Sequence, residues 1–288
     1  MPELPEVETI ARALRQGGRG AEGIIGRQVA WTHLLWARTL AEPAPQDFYQ
    51  RVIGQQVQSV GRRGKFLVLH LSSDYLLFHL RMSGDLRIEP HVLPPADALP
   101  LQPHDRLVLG FNDNTRLVFN DARKFGRTWL VTDSELVLSR LGPEPFDPTF
   151  TAYKFYQRLQ GHARQIKPLL LDQTFLAGMG NIYTDEALHV AGIHPLRPAS
   201  TLTPEQAGIL WTAIRSVLSE GIRRNGASFD WAYRGGDFQN SFQVYQQTGK
   251  PCPLCGTMIV KTTVGQRGTH FCPTCQPEYQ CVKTAGLI

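Results

Sequence analysis

The sequence predicts an α+β chain of several domains. A mainly antiparallel β domain with an N-terminal helix spans residues 1–133, a helical domain 134–240, and a cysteine-bearing β-hairpin with a tail 241–288. Three observations predict it. Short alternating apolar runs, separated by Gly, Ser and Asp, fill residues 56–89 and return in 106–121, the period of half-buried strands. Beyond Gly142-Pro143-Glu144-Pro145 the apolar period becomes helical. Four of the five cysteines then crowd between residues 252 and 275.

The first element opens on "MPELPEVETI". Val7, Ile10, Ala11 and Leu14 follow helical spacing until Gly17-Gly18 stops it. Pro2 suits a first helical turn, and Glu3, Glu6 and Glu8 complement the helix dipole. A second reading stands beside that one. If Met1 is removed, as is usual when proline follows, Pro2 carries a free secondary amine. "VQSVGRRG", "KFLVLHL", "YLLFHL" and "DLRIEP" read as successive strands, and "RLVLGFNDNTRLVFND" as a hairpin turning at Asn112-Asp113-Asn114. The proline-rich "PHVLPPADALPLQPH" between them reads as a surface loop. "TAYKFYQRL", "NIYTDEALHVAG" and "TPEQAGILWTAIRSVLSEGIRRNG" are helices, the last capped by Thr203 and closed by Gly226. "GASFDWAYRGGDFQNSF" is a long, glycine-rich loop, of a kind usually functional.

Composition narrows the function. No apolar run approaches the ~20 residues of a membrane span, and the first twenty residues hold no signal-peptide core. A cytoplasmic protein is expected. Net charge is +5, which suits a polyanionic partner without requiring one. The odd cysteine count argues against a disulfide framework.

Cys252, Cys255, Cys272 and Cys275 form C-x2-C-x16-C-x2-C, the spacing of a four-thiolate zinc site, against chance cysteines or a redox pair. Four protein ligands leave no open position, so the metal holds structure. Such a site contributes on the order of 10–16 kcal/mol of apparent folding free energy. Arg267 sits at the tip of the hairpin between the cysteine pairs, either as a phosphate fork or as one exposed turn arginine. "GMGN" places Gly178 and Gly180 ahead of a helix starting near Asn181. That is an anion site or a plain connection, with Arg164 and Lys167 favouring phosphate. In "HLRMSG" and "DARKFG", Met82 and Phe125 lie beside Arg81, Arg123 and Lys124. They are wedges for a base stack or simply core.

Together "MPELPEVETI", "GRRGKFL", "HLRMSG", "DARKFG", "GMGNIY" and "GQRGTHFCPTCQ" resemble the bacterial formamidopyrimidine-DNA glycosylase family, in order and over nearly the whole chain. Leu4 distinguishes it from the related endonuclease VIII branch, which resembles "MPEGPE". The resemblance implies a two-sheet β-sandwich, a helix–two-turn–helix domain and a β-hairpin zinc finger holding one zinc ion. It implies base-excision repair, in which oxidised purines are flipped out and removed through a Pro2 Schiff base and the strand is cut by β,δ-elimination. Pro2 matches the catalytic proline, Glu3 the acid/base glutamate, Glu6 a supporting carboxylate and Lys65 the elimination lysine. Met82, Arg123 and Phe125 match residues that fill the gap and wedge the opposite strand. His79 and His104 match DNA-contacting histidines, Lys167 and Asn181 phosphate clamps, and Arg267 the zinc-finger arginine. The implied partner is double-stranded DNA bearing oxidised purines or abasic sites, bound by a monomer. A pyrimidine-lesion enzyme and a non-catalytic DNA-binding zinc protein are the alternatives, the latter disfavoured by intact Pro2, Glu3 and Lys65. Two departures stand out. Asp230 occupies the lesion-covering loop where a basic residue is frequent, and the tail after Cys275, with Cys281, has no assigned role.

Overall fold

The computed structural model describes residues 1–90, 101–228 and 235–279. Most of the proline-rich loop, Asp230 and Cys281 therefore lie outside the described residues. The chain divides into two compact units, Met1–Leu141 with Glu220–Gln239, and Gly142–Ser219 with Asn240–Ile288. Those cuts differ from the expected 133/134 and 240/241. Residues 220–239 join the β unit, and the cysteine hairpin joins the helices.

In the first unit the apolar spacing of the N-terminus gives α1 (Leu4–Gln16), which buries Leu4, Val7, Ile10, Ala11 and Leu14. After it come β1 (Val29–Leu34), β2 (Leu40–Glu42), α2 (Pro45–Val52), β3 (Val57–Arg63) and β4 (Phe66–Leu71). Then follow β5 (Tyr75–His79), β6 (Gly84–Pro90), β7 (Asp105–Phe111), β8 (Thr115–Asp121), β9 (Arg127–Val131) and α3 (Glu135–Leu138). One sheet has the order β1-β7-β8-β6, the other β2-β9-β5-β4-β3. All pairs are antiparallel except β2 with β9. The strict alternation of β4 sends Leu67, Leu69 and Leu71 into a core shared with Phe78, Leu107, Leu109, Phe119 and the apolar stripe of α1. Its other face packs Phe66 and Val68 in a smaller cluster with Leu77, Val131 and Leu138. β1, β2, α2 and β9 had not been singled out in the sequence.

The second unit contains α4 (Ala152–Gln160), α5 (Ile166–Leu170), α6 (Asn181–Val190) and most of α7 (Pro204–Arg223). The Thr203 cap is reciprocal. Its hydroxyl accepts the Gln206 N–H at 3.2 Å, while Gln206 Oε1 accepts the Thr203 N–H at 3.1 Å. Beyond α7, Gly226 takes φ +79° as the closing residue. Strands β10 (Val260–Val264) and β11 (Arg267–Phe271) form the hairpin. Gly265 and Gln266 between them both have left-handed φ, 54° and 62°, as a tight two-residue turn requires.

Candidate active site and metal centre

Behind the exposed Met1, the start of the chain is buried in the first unit from Pro2 onward. Helix α1 begins at Leu4 with Glu3 as N-cap, so Pro5 lies in the first turn. Pro2 precedes the helix, and its expected place in that turn is thereby corrected. Pro2, Glu3 and Glu6 are all buried, and Lys65 is only 5% exposed. Glu6 ties two segments together. Its Oε2 accepts the Glu3 N–H at 2.7 Å and its Oε1 the Ala227 N–H at 2.8 Å. The approach is so close that a Cβ on Gly226 would lie 2.6 Å from Glu6 Oε1. The α-amine of Met1 is held below its ordinary value chiefly by burial, which Glu3 and Glu6 oppose and Lys65 and Arg123 reinforce. Such a shift leaves a larger share of that amine neutral near pH 7.

The loops after β5 and β8 are fastened to each other by Asp121, a buried residue that the sequence had not singled out. Its Oδ1 accepts from the Ser83 hydroxyl and, at 3.2 Å, from the Arg123 N–H, while Oδ2 accepts the Gly126 N–H at 2.7 Å. Ser83 Oγ also accepts the Arg123 N–H at 3.1 Å. Two glycines permit the closeness, since a Cβ would come within 2.5 Å of Leu80 O at Gly84 and 2.4 Å of Phe119 Cζ at Gly126. Their signal in the sequence was the Ser-Gly of "HLRMSG" and the Asp and Gly bounding "DARKFG".

What this turn presents settles one alternative. Phe125 is 51% exposed, with the Arg123 guanidinium 5.0 Å from its ring centre, and Met82 is half-buried. Phe125 is not core. Lys124 lies 4.1 Å over the Trp36 ring. His104, exposed and at φ 77°, joins the same turn through its carbonyl, which accepts the Asp121 N–H at 2.9 Å. His79 is buried, its ring edge-to-face with Phe66 at 4.7 Å. Burial, then Arg81 and Lys65, lower its pKa to about 3. Its Nδ1 accepts the Arg81 N–H at 3.0 Å, so the neutral ring carries its proton on Nε2.

The second unit collects Arg164, Lys167, Asn181 and Arg267. Gln173 shapes the turn before α6. Its Oε1 accepts the Gly178 N–H at 3.0 Å, and its Nε2 donates to Met179 O at 2.8 Å. Lys167 is corrected as a direct phosphate grip, because it is 0% exposed. Its ammonium bonds Asp185 Oδ1 at 2.5 Å and the Gly268 carbonyl at 3.0 Å. Asn181 Nδ2 donates to the same carbonyl at 3.0 Å, and Asp185 Oδ2 accepts the His270 N–H at 2.9 Å. Both polar residues thus hold the hairpin onto α5 and α6, next to the exposed Arg267. Arg164 is half exposed and bonds Asp172 at 2.7 Å. Burial pushes the Asp172 carboxyl up, but bonds from Arg164 and Thr174 leave it below its usual range. Glu186 accepts the N–H groups of Gln243, Val244 and Tyr245 at 2.9, 3.0 and 2.8 Å. Its burial nonetheless keeps the carboxyl above its usual range.

The sulfurs of Cys252, Cys255, Cys272 and Cys275 lie within 4.8 Å of one another, with Cys252–Cys275 at 3.8 Å and Cys255–Cys272 at 3.5 Å. Four sulfurs about 2.3 Å from a tetrahedral zinc ion would be about 3.8 Å apart. The donor set and its spacing fit one zinc ion with no open position.

Family profiles match three stretches. They are the formamidopyrimidine-DNA glycosylase N-terminal domain over residues 1–128, its H2TH domain over 141–232, and a zinc finger found in FPG and IleRS over 249–277. The formamidopyrimidine-DNA glycosylase of Chloroflexus aggregans is 44% identical over 284 residues, 96% of this chain and 98% of that one. That of Protochlamydia amoebophila is 41% identical, covering 96% and 99%. The solved structure of Lactococcus lactis FPG with FAPY-dG-containing DNA superposes with a TM-score of 0.84 at 35% identity, covering 96% and 100%. Among the described residues, no helix is long and apolar enough to cross a membrane.

Proposed function

The chain belongs to the formamidopyrimidine-DNA glycosylase family, and from that premise we propose how its residues work. It is a base-excision repair enzyme acting on duplex DNA, a glycosylase for oxidised purines (8-oxoguanine and formamidopyrimidines) with abasic-site lyase activity. One structural zinc ion is held by Cys252, Cys255, Cys272 and Cys275. It acts as a monomer in the cytoplasm.

Removal of Met1 leaves the Pro2 secondary amine as nucleophile. A free α-amine has a pKa of about 8, so a useful fraction is neutral near pH 7 without the deep burial a lysine needs. The damaged nucleotide must leave the stack first. Met82 and Phe125 fill the gap while Arg123 grips a phosphate. Pro2 N then bonds C1′ as the base departs with the C1′–N electron pair. The Pro2 N–H proton is lost and can pass to the departing base, while the C1′–O4′ bond breaks and Glu3 protonates the ring oxygen. The product is an iminium, cationic without a further proton. It acidifies C2′–H, and loss of that proton expels the 3′-phosphate. A second elimination expels the 5′-phosphate, and hydrolysis of the iminium releases Pro2. Lys65 assists the elimination steps and Glu6 holds the N-terminal backbone in place. His79 contributes an Nε2–H donor and His104 a second contact to the DNA, and Asn181, Arg164 and Arg267 face phosphates.

One observation carries this reading. Chain termini usually fray, yet here Met1 alone is exposed, and Pro2, Glu3 and Glu6 behind it are buried, as is Lys65, whose charge reaches the terminal amine. Borohydride should trap the native protein covalently on an 8-oxoguanine:C duplex, and Pro2→Gly should lose most of the trapping. Efficient trapping by protein whose N-terminus is still Met1 would overturn the assignment.

A further inference from the structure

The mechanism makes no use of His189, a histidine on α6 that is only 1% exposed. Its ring lies between two partners. Nδ1 is 3.0 Å from Gln243 Oε1, and Nε2 is 3.3 Å from the sulfur of Cys252. A leucine or phenylalanine could occupy this volume without bringing two polar atoms into a buried place, where each costs free energy unless it is bonded. The contact is also built from both sides. Gln243 is fixed through its backbone N–H, which Glu186 accepts at 2.9 Å, and Glu186 lies less than one turn before His189 on α6. Cys252 is fixed by its own N–H, which donates to Thr257 O at 2.8 Å.

We propose that His189 is an outer member of the zinc site, donating an Nε2–H hydrogen bond to the Cys252 thiolate and so holding the metal in place. A zinc-bound sulfur is a thiolate and can only accept. The hydrogen between the two atoms therefore belongs to the ring, and Nδ1 of the neutral ring becomes an acceptor. The Gln243 amide carries an NH2 group as well as an oxygen, and a half-turn about its last bond supplies the donor. An N–H···S bond withdraws charge from the sulfur. A sulfur so engaged is less readily protonated or alkylated, and the metal leaves more slowly. Outer partners of metal ligands act in this way generally.

The inference rests on the zinc reading of the four cysteines, and its failure is distinguishable from failure of that reading. Absence of zinc from the purified native protein would sink the site itself. A normal zinc content with unchanged behaviour of the variants would sink only the role of His189. The experiment follows zinc release from the full chain to the chromophoric chelator 4-(2-pyridylazo)resorcinol, and the sulfur-to-metal charge-transfer band of cobalt(II)-loaded protein. His189→Phe should release zinc about 10-fold faster or more and move the cobalt band to longer wavelength. His189→Gln, which restores an N–H donor, should recover most of both. If His189→Phe does not fold, Gln243→Ala leaves the backbone bond to Glu186 intact and should move the band in the same direction. Native release and an unmoved band in these variants would overturn the proposal. So would equal loss in the Phe and Gln variants with the band unmoved, since packing alone would then explain it.

Discussion

Each unit buries a lysine, and the two lysines are used in opposite ways. Lys167 in the second unit meets Asp185 at 2.5 Å and the Gly268 carbonyl, so its charge is consumed in holding the hairpin. Lys65 in the first unit, 5% exposed, lowers the pKa of the Met1 α-amine, which Glu3 and Glu6 raise, and is proposed to assist the chemistry there. Burial alone therefore does not separate a structural cation from a chemical one. On the proposed mechanism, what separates them is whether the cation serves the fold alone or also a reacting group.

The largest expected effect tests that contrast directly. Lys167→Met leaves Asp185 buried without its cation and should cost about 3–5 kcal/mol, read as a lowered urea midpoint and loss of the hairpin. Lys65→Met should unfold near the native midpoint while strand cleavage collapses. Comparable destabilisation by both substitutions would break the comparison. The same contrast extends to DNA. Arg267→Gln should lower the salt slope of duplex binding by about 0.9, the share of one phosphate contact. Lys167→Gln, with no exposed charge to lose, should bind more weakly without lowering the slope.

A smaller effect sharpens the first unit's side. Phe125→Ala removes an exposed ring, so stability should change by less than about 0.5 kcal/mol. Excision of 8-oxoguanine should nonetheless slow about 30- to 150-fold, the equivalent of about 2–3 kcal/mol of lost compensation for unstacking. Cleavage at a pre-formed abasic site, where no base must be extracted, should fall much less. Single-turnover rates on the two duplexes decide it. Equal losses on both would place Phe125 outside base extraction.

Much of this was legible in the chain itself. Helical spacing gave α1, the period of two gave β3 to β8, and the cysteine spacing gave the metal site and its hairpin. Elements held by tertiary context were not legible. The three residues of β2 are too few to show a period, and their parallel pairing with β9 joins segments more than 80 residues apart. The same limit applied within the sites. Lys167 looked like a phosphate clamp because Asp185, which neutralises it, belongs to the next helix. Asp121 and Ser83 passed as ordinary turn residues because their bond spans 38 positions. A sequence names the chemistry of a side chain, but its partner across the fold decides whether that chemistry is available.

The smallest effect concerns His79, whose pKa of about 3 in the folded protein lies below its ordinary 6.5 because of burial and then of Arg81 and Lys65. As pH falls through about 6.5 the unfolded chain takes up a proton that the folded one refuses. Stability from this group is therefore complete above that pH and is lost as the solution is acidified, until the folded ring also titrates near 3. Between pH 6.5 and 5.5 the loss is about 1 kcal/mol, before most carboxylates begin to titrate. In His79→Gln the amide oxygen can still accept the Arg81 N–H but takes up no proton in this range, so its unfolding free energy should fall less over the same interval. Other buried histidines contribute equally to both proteins and cancel in the difference. Parallel curves would mean that His79 charges within the folded protein. It would then meet DNA as a cation, and duplex affinity would rise on acidification. On the proposed contact, a neutral His79 offers the DNA only a hydrogen-bond donor, which acidification over this interval leaves unchanged.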